Sequence, residues 1–155
     1  MPVIAKVHGA CFTGALEIAL SCDFIIAEAA VKFGDTHAKW GLRPTWGMGQ
    51  NLARAVGVRR ARQLSYTADV FRGADALHWG LVNELADDLQ ALDELCNTLT
   101  DKICQGSGAA ISAYKDLYRL AEQQLELEQA LAQENSRNYP DISDTQARLD
   151  GFGAK

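Results

Sequence analysis

The stretch "PVIAKV", residues 2 to 7, crowds apolar and β-branched residues together and is followed by Gly9. That pattern predicts a buried strand with a turn behind it. From Gly14 to Cys22 the apolar positions recur at helical spacing, and "DFIIAE" and "VKFG" predict two more short strands. Strand, helix and strand within about 30 residues form an α/β arrangement. "GMGQNLARAVG" and "VRRARQLSYTAD" predict two short helices divided by Gly57, "GADALHWG" a third that stops at Gly80, and "LVNEL" a last strand. From about Asp87 onward "LQALDELCNTLTDKICQ", "AAISAYKDLYRLAEQQ" and "LEQALAQENSRNY" keep helical apolar spacing with acidic surfaces and few glycines. The chain therefore reads as an α/β segment followed by an all-helical one, without a fixed-period repeat or a low-complexity stretch.

With 155 residues, 48% of them hydrophobic, the chain can bury one sizeable core. A net charge of -5 excludes nucleic acid as the main partner, because neutralising phosphates needs a basic surface. The charge is uneven: residues 1–70 carry eight Lys or Arg against five Asp or Glu, and residues 71–155 carry seven against fifteen. The first part thus suits an anionic ligand, and the second reads as solvated helix surface. Cys11, Cys22, Cys96 and Cys104 show neither paired spacing nor companion histidines, so neither a metal site nor a disulfide framework is expected. They fit a reducing, cytoplasmic setting. No apolar run approaches the roughly 20 residues that span a bilayer, and Lys6, His8 and Glu17 interrupt the apolar start.

The chemistry concentrates in "HGACFTGALEIALSCD", residues 8 to 23, where Glu17 stands among Ala15, Leu16, Ile18, Ala19 and Leu20. A buried carboxylate without partners is strongly unfavourable, so it demands a reason. Helical spacing puts Gly14, Glu17 and Ser21 on one stripe. First-turn N–H groups have no intrahelical acceptor, and glycine lets a ligand oxygen approach them, so Gly14 offers an oxyanion-type donor one turn from a carboxylate acid or base. The same pattern admits a plainer reading, with Gly14 as a turn residue and Glu17 paired to a distant arginine.

"PVIAKVHGACFTGALEIALSCDFIIAEAAVKFG" resembles the signature stretch of the crotonase, or enoyl-CoA hydratase/isomerase, superfamily. "GLRPTWGMGQNLARAVGVRRARQL" and "GADALHWGLVNEL" are similar to the family's later motifs, in the same order and in register from Pro2 to about Glu84. The resemblance implies a partial crotonase fold of stacked ββα units over residues 1–85 and a helical trimerisation region over residues 86–155. It implies that the Gly14 N–H polarises an acyl-CoA thioester carbonyl. It matches Glu17 to the first of two hydratase glutamates, which hold the water added across the 2,3 double bond. Coenzyme A would be part of the substrate, no separate cofactor or metal is implied, and the assembly would be a homotrimer or a dimer of trimers.

The departures are equally specific. His37, in "FGDTHAKWG", occupies the place of the second glutamate; imidazole transfers protons near neutral pH, and Asp35 is close enough in sequence to orient it. Thr13 replaces a glycine usual in the turn, which narrows the backbone allowed there. Trp40, Pro44 and Trp46 are candidates for an acyl-pocket wall, and equally for core. Phe152 and Lys155 resemble a family ending that approaches the CoA adenine. "RRAR", residues 59 to 62, could attract phosphates or simply form a wet helix face, and His8 and His78 read as structural. Family members carry a further segment before the first strand, with the other oxyanion donor and much of the CoA surface, so the chain is expected to be a fragment, a truncated product or a mis-started frame. Three outcomes stay open: a hydratase, an isomerase or decarboxylase working through the same enolate, or a silent assembly partner.

Overall fold

The computed structural model describes residues 1–123 and 125–150. The chain divides into two compact units, one formed by Val3–Leu99 and one by Met1–Pro2 with the residues from Thr100 onward.

In the first unit, β1 (Ile4–Val7) leads through Gly9, whose φ of 66° places it in the left-handed region, into β2 (Ala10–Phe12). Next come α1 (Gly14–Leu20), β3 (Phe24–Glu28) and β4 (Lys32–Gly34). A 3-10 turn at Ala38–Trp40 precedes α2 (Met48–Val56) and α3 (Val58–Thr67), which meet at Gly57. β5 (Phe71–Arg72), α4 (Gly73–His78) and β6 (Glu84–Ala86) follow, and α5 (Leu89–Gln105) begins in this unit, which ends at Leu99.

The strands form two three-stranded sheets, ordered β1-β3-β6 and β2-β4-β5. β1 and β3 are parallel with Ile4 opposite Phe24, and β3 and β6 are parallel with Ile26 opposite Glu84. β2 and β4 are also parallel, while β5 closes on β4 antiparallel with Phe33 opposite Phe71. Parallel neighbours require a crossover, and α1 supplies it between β1 and β3.

β3 explains the uninterrupted apolar run "FIIA". Ile25 and Ala27 enter the main core with Leu16, Phe33, Met48, Leu52 and Phe71, whereas Ile26 packs on the opposite face with Ala86 and Leu92. A strand covered on both faces has no reason to alternate with polar residues. Phe71 stacks on Phe33 and tilts against Trp79, and the Arg60 guanidinium lies 4.4 Å from the Trp79 ring centre. Arg60 therefore spends its charge on an aromatic face.

"LVNEL" begins its pairing later than its apolar residues suggest. Leu81 and Val82 fold back to hydrogen-bond the Ala76 carbonyl and fill the core, and pairing with β3 starts at Asn83, which exchanges bonds with Ile25 through backbone and side chain.

In the second unit, α6 (Gly108–Glu122), α7 (Leu127–Ser136) and α8 (Thr145–Asp150) follow the end of α5. Ser107 caps α6 by accepting from the Ala110 N–H, and it donates to Asp144 at 2.7 Å. Arg148 reaches both Asp144 and the Gln105 carbonyl. Hydrogen bonds from Arg148 and Ser107 hold the Asp144 carboxyl below the usual carboxylate range. Among the described residues, no helix is long and apolar enough to cross a membrane, and no three His, Cys, Asp or Glu side chains converge on a metal-holding point.

Candidate active site

Three buried side chains of the first unit carry a carboxylate or an imidazole: Glu17 at 2% exposure, Asp35 at 3% and His37 at 8%. They come from α1, from the end of β4 and from the residue just before the 3-10 turn, and they lie together. His37 Nε2 is 3.7 Å from Glu17 Oε2, and His37 Nδ1 is 2.7 Å from Asp35 Oδ1. The imidazole is thus held between two carboxylates.

Among the described residues Glu17 has no arginine partner; its other oxygen is occupied by backbone. Oε1 accepts N–H bonds from Trp46 at 2.9 Å and Met48 at 3.2 Å. Met48 is the first residue of α2, so its N–H is one of the donors a helix leaves unpaired, at the positive end of its dipole. Gly47, at φ 103°, makes the turn between the two donors in a conformation that favours glycine. Glu17 therefore caps α2 through Oε1 while Oε2 faces His37.

Asp35 is satisfied as an acceptor. Oδ1 takes the His37 ring N–H and, at 3.3 Å, the His37 backbone N–H, while Oδ2 accepts from the Ser65 hydroxyl at 2.6 Å. An ionised carboxylate only accepts, so with Asp35 ionised the ring proton facing it sits on Nδ1. The Asp35–His37 pair was anticipated from proximity in sequence. Ser65, from α3 thirty residues away, and the two backbone donors on Glu17 were not; a lone serine in a helix and the N–H groups of a loop carry no sequence signal.

Gly14 is the first residue of α1, and the backbone enters it through Thr13 at φ 51°, ψ -113°. Positive φ is uncommon for a branched residue, and the Thr13 hydroxyl is tied to the Thr36 hydroxyl at 2.7 Å. The Trp46 ring lies over Gly14: a β-carbon placed there would stand 3.2 Å from Trp46 Cζ3.

Beside His37 a cleft of about 450 Å³ opens, its wall including Asp35, His37, Ser65, Leu42, Pro44 and Met48. Pro44, a candidate for an acyl-pocket wall, lines this cleft. Trp40 and Trp46 are exposed and stand outside this cleft, Trp40 with the Lys39 ammonium 5.5 Å from its ring centre and Trp46 over Gly14. His8 and His78 are exposed and away from it. Phe152 and Lys155 lie outside the described residues.

A carboxylate fixed by two backbone donors beside an oriented imidazole can hold a water and move a proton, and a first-turn glycine N–H is of the kind that polarises a carbonyl. The chain matches the profile of the enoyl-CoA hydratase/isomerase family over residues 1–154. It is 34% identical over 156 residues to the short-chain-enoyl-CoA hydratase of Clostridium acetobutylicum, covering 99% of this chain and 58% of that protein. Its fold superposes with a TM-score of 0.88 on enoyl-CoA hydratase subunit I of Geobacillus kaustophilus, at 27% identity, covering 97% of this chain and 59% of the other. The TM-score is 0.81 against a Thermobifida fusca putative enoyl-CoA hydratase solved with acetoacetyl-CoA, at 28% identity, covering 96% of this chain and 55% of that one. The chain spans from 34% to 58% of the length of the curated relatives it matches. A profile match along nearly the whole chain, carried on the same fold, places this chain in the enoyl-CoA hydratase/isomerase family.

Proposed function

We propose that the protein adds water across the 2,3 double bond of a 2-enoyl-CoA thioester. The observation that carries this reading is the facing pair of Glu17 and His37, buried and 3.7 Å apart. The reaction starts with Glu17 as the carboxylate and His37 protonated on both ring nitrogens: Glu17 Oε2 takes a proton from water as its oxygen bonds to C3. The π electrons move into the thioester, whose oxygen rests on the Gly14 N–H, and the enolate formed is protonated at C2 from His37 Nε2. The water proton on Glu17 then returns to His37 across the gap between them, which restores both groups. The facing of Glu17 Oε2 and His37 Nε2 supports this division of roles.

The acyl group would occupy the cleft beside His37 and Pro44, with coenzyme A entering as part of the substrate and no separate cofactor. Assembly as a homotrimer or a dimer of trimers is supported by the exposed apolar residues of the helical region, Tyr114, Tyr118, Leu127 and Leu131. A cytoplasmic location agrees with the spacing of the cysteines along the sequence, which suggests no disulfide framework.

The test follows loss of the conjugated enoyl-thioester absorbance with the wild-type chain, Glu17→Gln and His37→Gln. Wild-type turnover with a fall of about 100-fold or more in each variant supports the reading. Turnover that survives Glu17→Gln would sink it.

A further inference from the structure

The mechanism requires that one ring nitrogen of His37 exchange its proton while the other keeps it, and an imidazole alone enforces no such division. The structure holds a device that does. Asp35 Oδ1 meets Nδ1 at 2.7 Å and also receives the His37 backbone N–H at 3.3 Å, so ring and main chain are fixed to the same oxygen. The other oxygen is fixed by the Ser65 hydroxyl at 2.6 Å, from the last turn of α3. Without that third bond the carboxylate could rotate about its terminal torsion, which has a broad, soft profile.

We infer that Ser65 is a positioning residue: its hydroxyl locks the Asp35 carboxylate, which keeps the proton of His37 on Nδ1 and leaves Nε2, facing Glu17, as the exchanging atom. The link to catalysis rests on the hydratase reading, whereas the Ser65–Asp35–His37 coupling stands on geometry alone. An ordinary tertiary contact between α3 and the end of β4 would need no ionised acceptor shared with an active imidazole. Two further facts fit a functional role: Ser65, Asp35 and His37 all border the cleft, and Asp35 and His37 are almost fully buried. Orientation alone is worth a good deal, since a misplacement of about 1 Å can reduce a rate by about 100-fold.

The experiment combines ring-nitrogen NMR with steady-state kinetics on the full chain. There are only three histidines, and His8 and His78 are exposed, so His37→Gln assigns the His37 signals by subtraction. At a pH where the ring is neutral, wild-type His37 is expected to carry its proton on Nδ1, protected from solvent exchange. Ser65→Ala should speed that exchange at least about tenfold and lower kcat by about 10- to 100-fold, with KM changed less than about twofold. Ser65→Thr, which retains the hydroxyl, should restore both. Asp35→Asn, close to isosteric, should perturb the Nδ1 signal more than Ser65→Ala does. The inference is overturned if wild-type His37 carries its neutral-state proton on Nε2, or if Ser65→Ala leaves Nδ1 exchange unchanged. It is equally overturned if an active Ser65→Ala loses through KM alone. If no form of the chain hydrates an enoyl-CoA, the hydratase reading fails and the NMR arms still decide the coupling.

Discussion

Glu17 has two duties that can be separated by substitution. As a structural group it receives the Trp46 and Met48 N–H bonds; as a chemical group it takes a proton. Glu17→Gln keeps an acceptor oxygen in the Oε1 position. The two bonds then fall from charge-assisted to neutral strength, a loss of about 1 kcal/mol each, and the dipole of α2 loses about 0.3–1 kcal/mol of favourable charge. Relief from burying a carboxylate offsets part of that, so the net loss is about 1–2 kcal/mol. Glu17→Ala removes the acceptor altogether. Orphaning the buried Met48 N–H then costs about 1–3 kcal/mol and the part-buried Trp46 N–H about 1 kcal/mol, so the alanine variant should be less stable than the glutamine variant by about 2–4 kcal/mol. Against a total stability of about 5–15 kcal/mol, that gap is easily resolved by urea unfolding, read as a shift of midpoint at constant slope. Both variants should lose turnover alike. If alanine and glutamine proved equally stable within about 0.5 kcal/mol, the capping of α2 by Glu17 would be refuted, whatever happened to the rate.

Other expectations follow from single positions. A β-carbon at Gly73 would sit 2.9 Å from the Ala29 carbonyl oxygen and 3.2 Å from that of Glu28, both backbone; Gly73→Ala should destabilise by about 1–3 kcal/mol, visible as a Tm drop of several degrees. Ala68 caps α3 at φ 53°, ψ 30°, so Ala68→Gly should raise stability by about 0.5 kcal/mol in a urea titration, the relief of left-handed strain exceeding the added unfolded-state freedom. Burial pushes the Cys11 thiol up to about 11, so iodoacetamide at pH 8 should label exposed Cys104 and spare Cys11 in the folded protein. Because the folded value is raised, the stabilisation linked to the neutral thiol is complete below its ordinary value of 9.0 and is lost as pH climbs toward about 11. Cys11→Ala should flatten stability in that window.

The elements legible in the sequence are those whose evidence is local. The β-branched run ending at Val7, the stripe through Leu16 and Leu20, Gly57 between two helices and Gly80 after a third each leave a mark within one or two turns of chain. β2 and β5, three and two residues long, are too short to show alternation, and they are strands only because β4 pairs with both. Ile18 looked as buried as its neighbours, yet it faces outward at 61% exposure, because an apolar letter does not say which side of α1 is covered.

The same division holds for the site. The sequence determined by itself that a carboxylate at Glu17 sits one turn from Gly14 on an apolar helix, that a histidine stands at position 37, and that both fall within motifs of one family. Helical spacing and residue type are properties of short segments, so they can be read along the chain. Only the tertiary structure decided that Glu17 caps α2 rather than pairing with an arginine, that His37 Nε2 turns toward it, and that Ser65 steadies the Asp35 carboxylate beneath the ring. Those contacts join residues 20 to 31 positions apart through the packing of α1, α2, α3 and β4. A hydrogen bond needs its donor and acceptor within about 3 Å, and no local pattern encodes a distance between segments that meet only when the core closes.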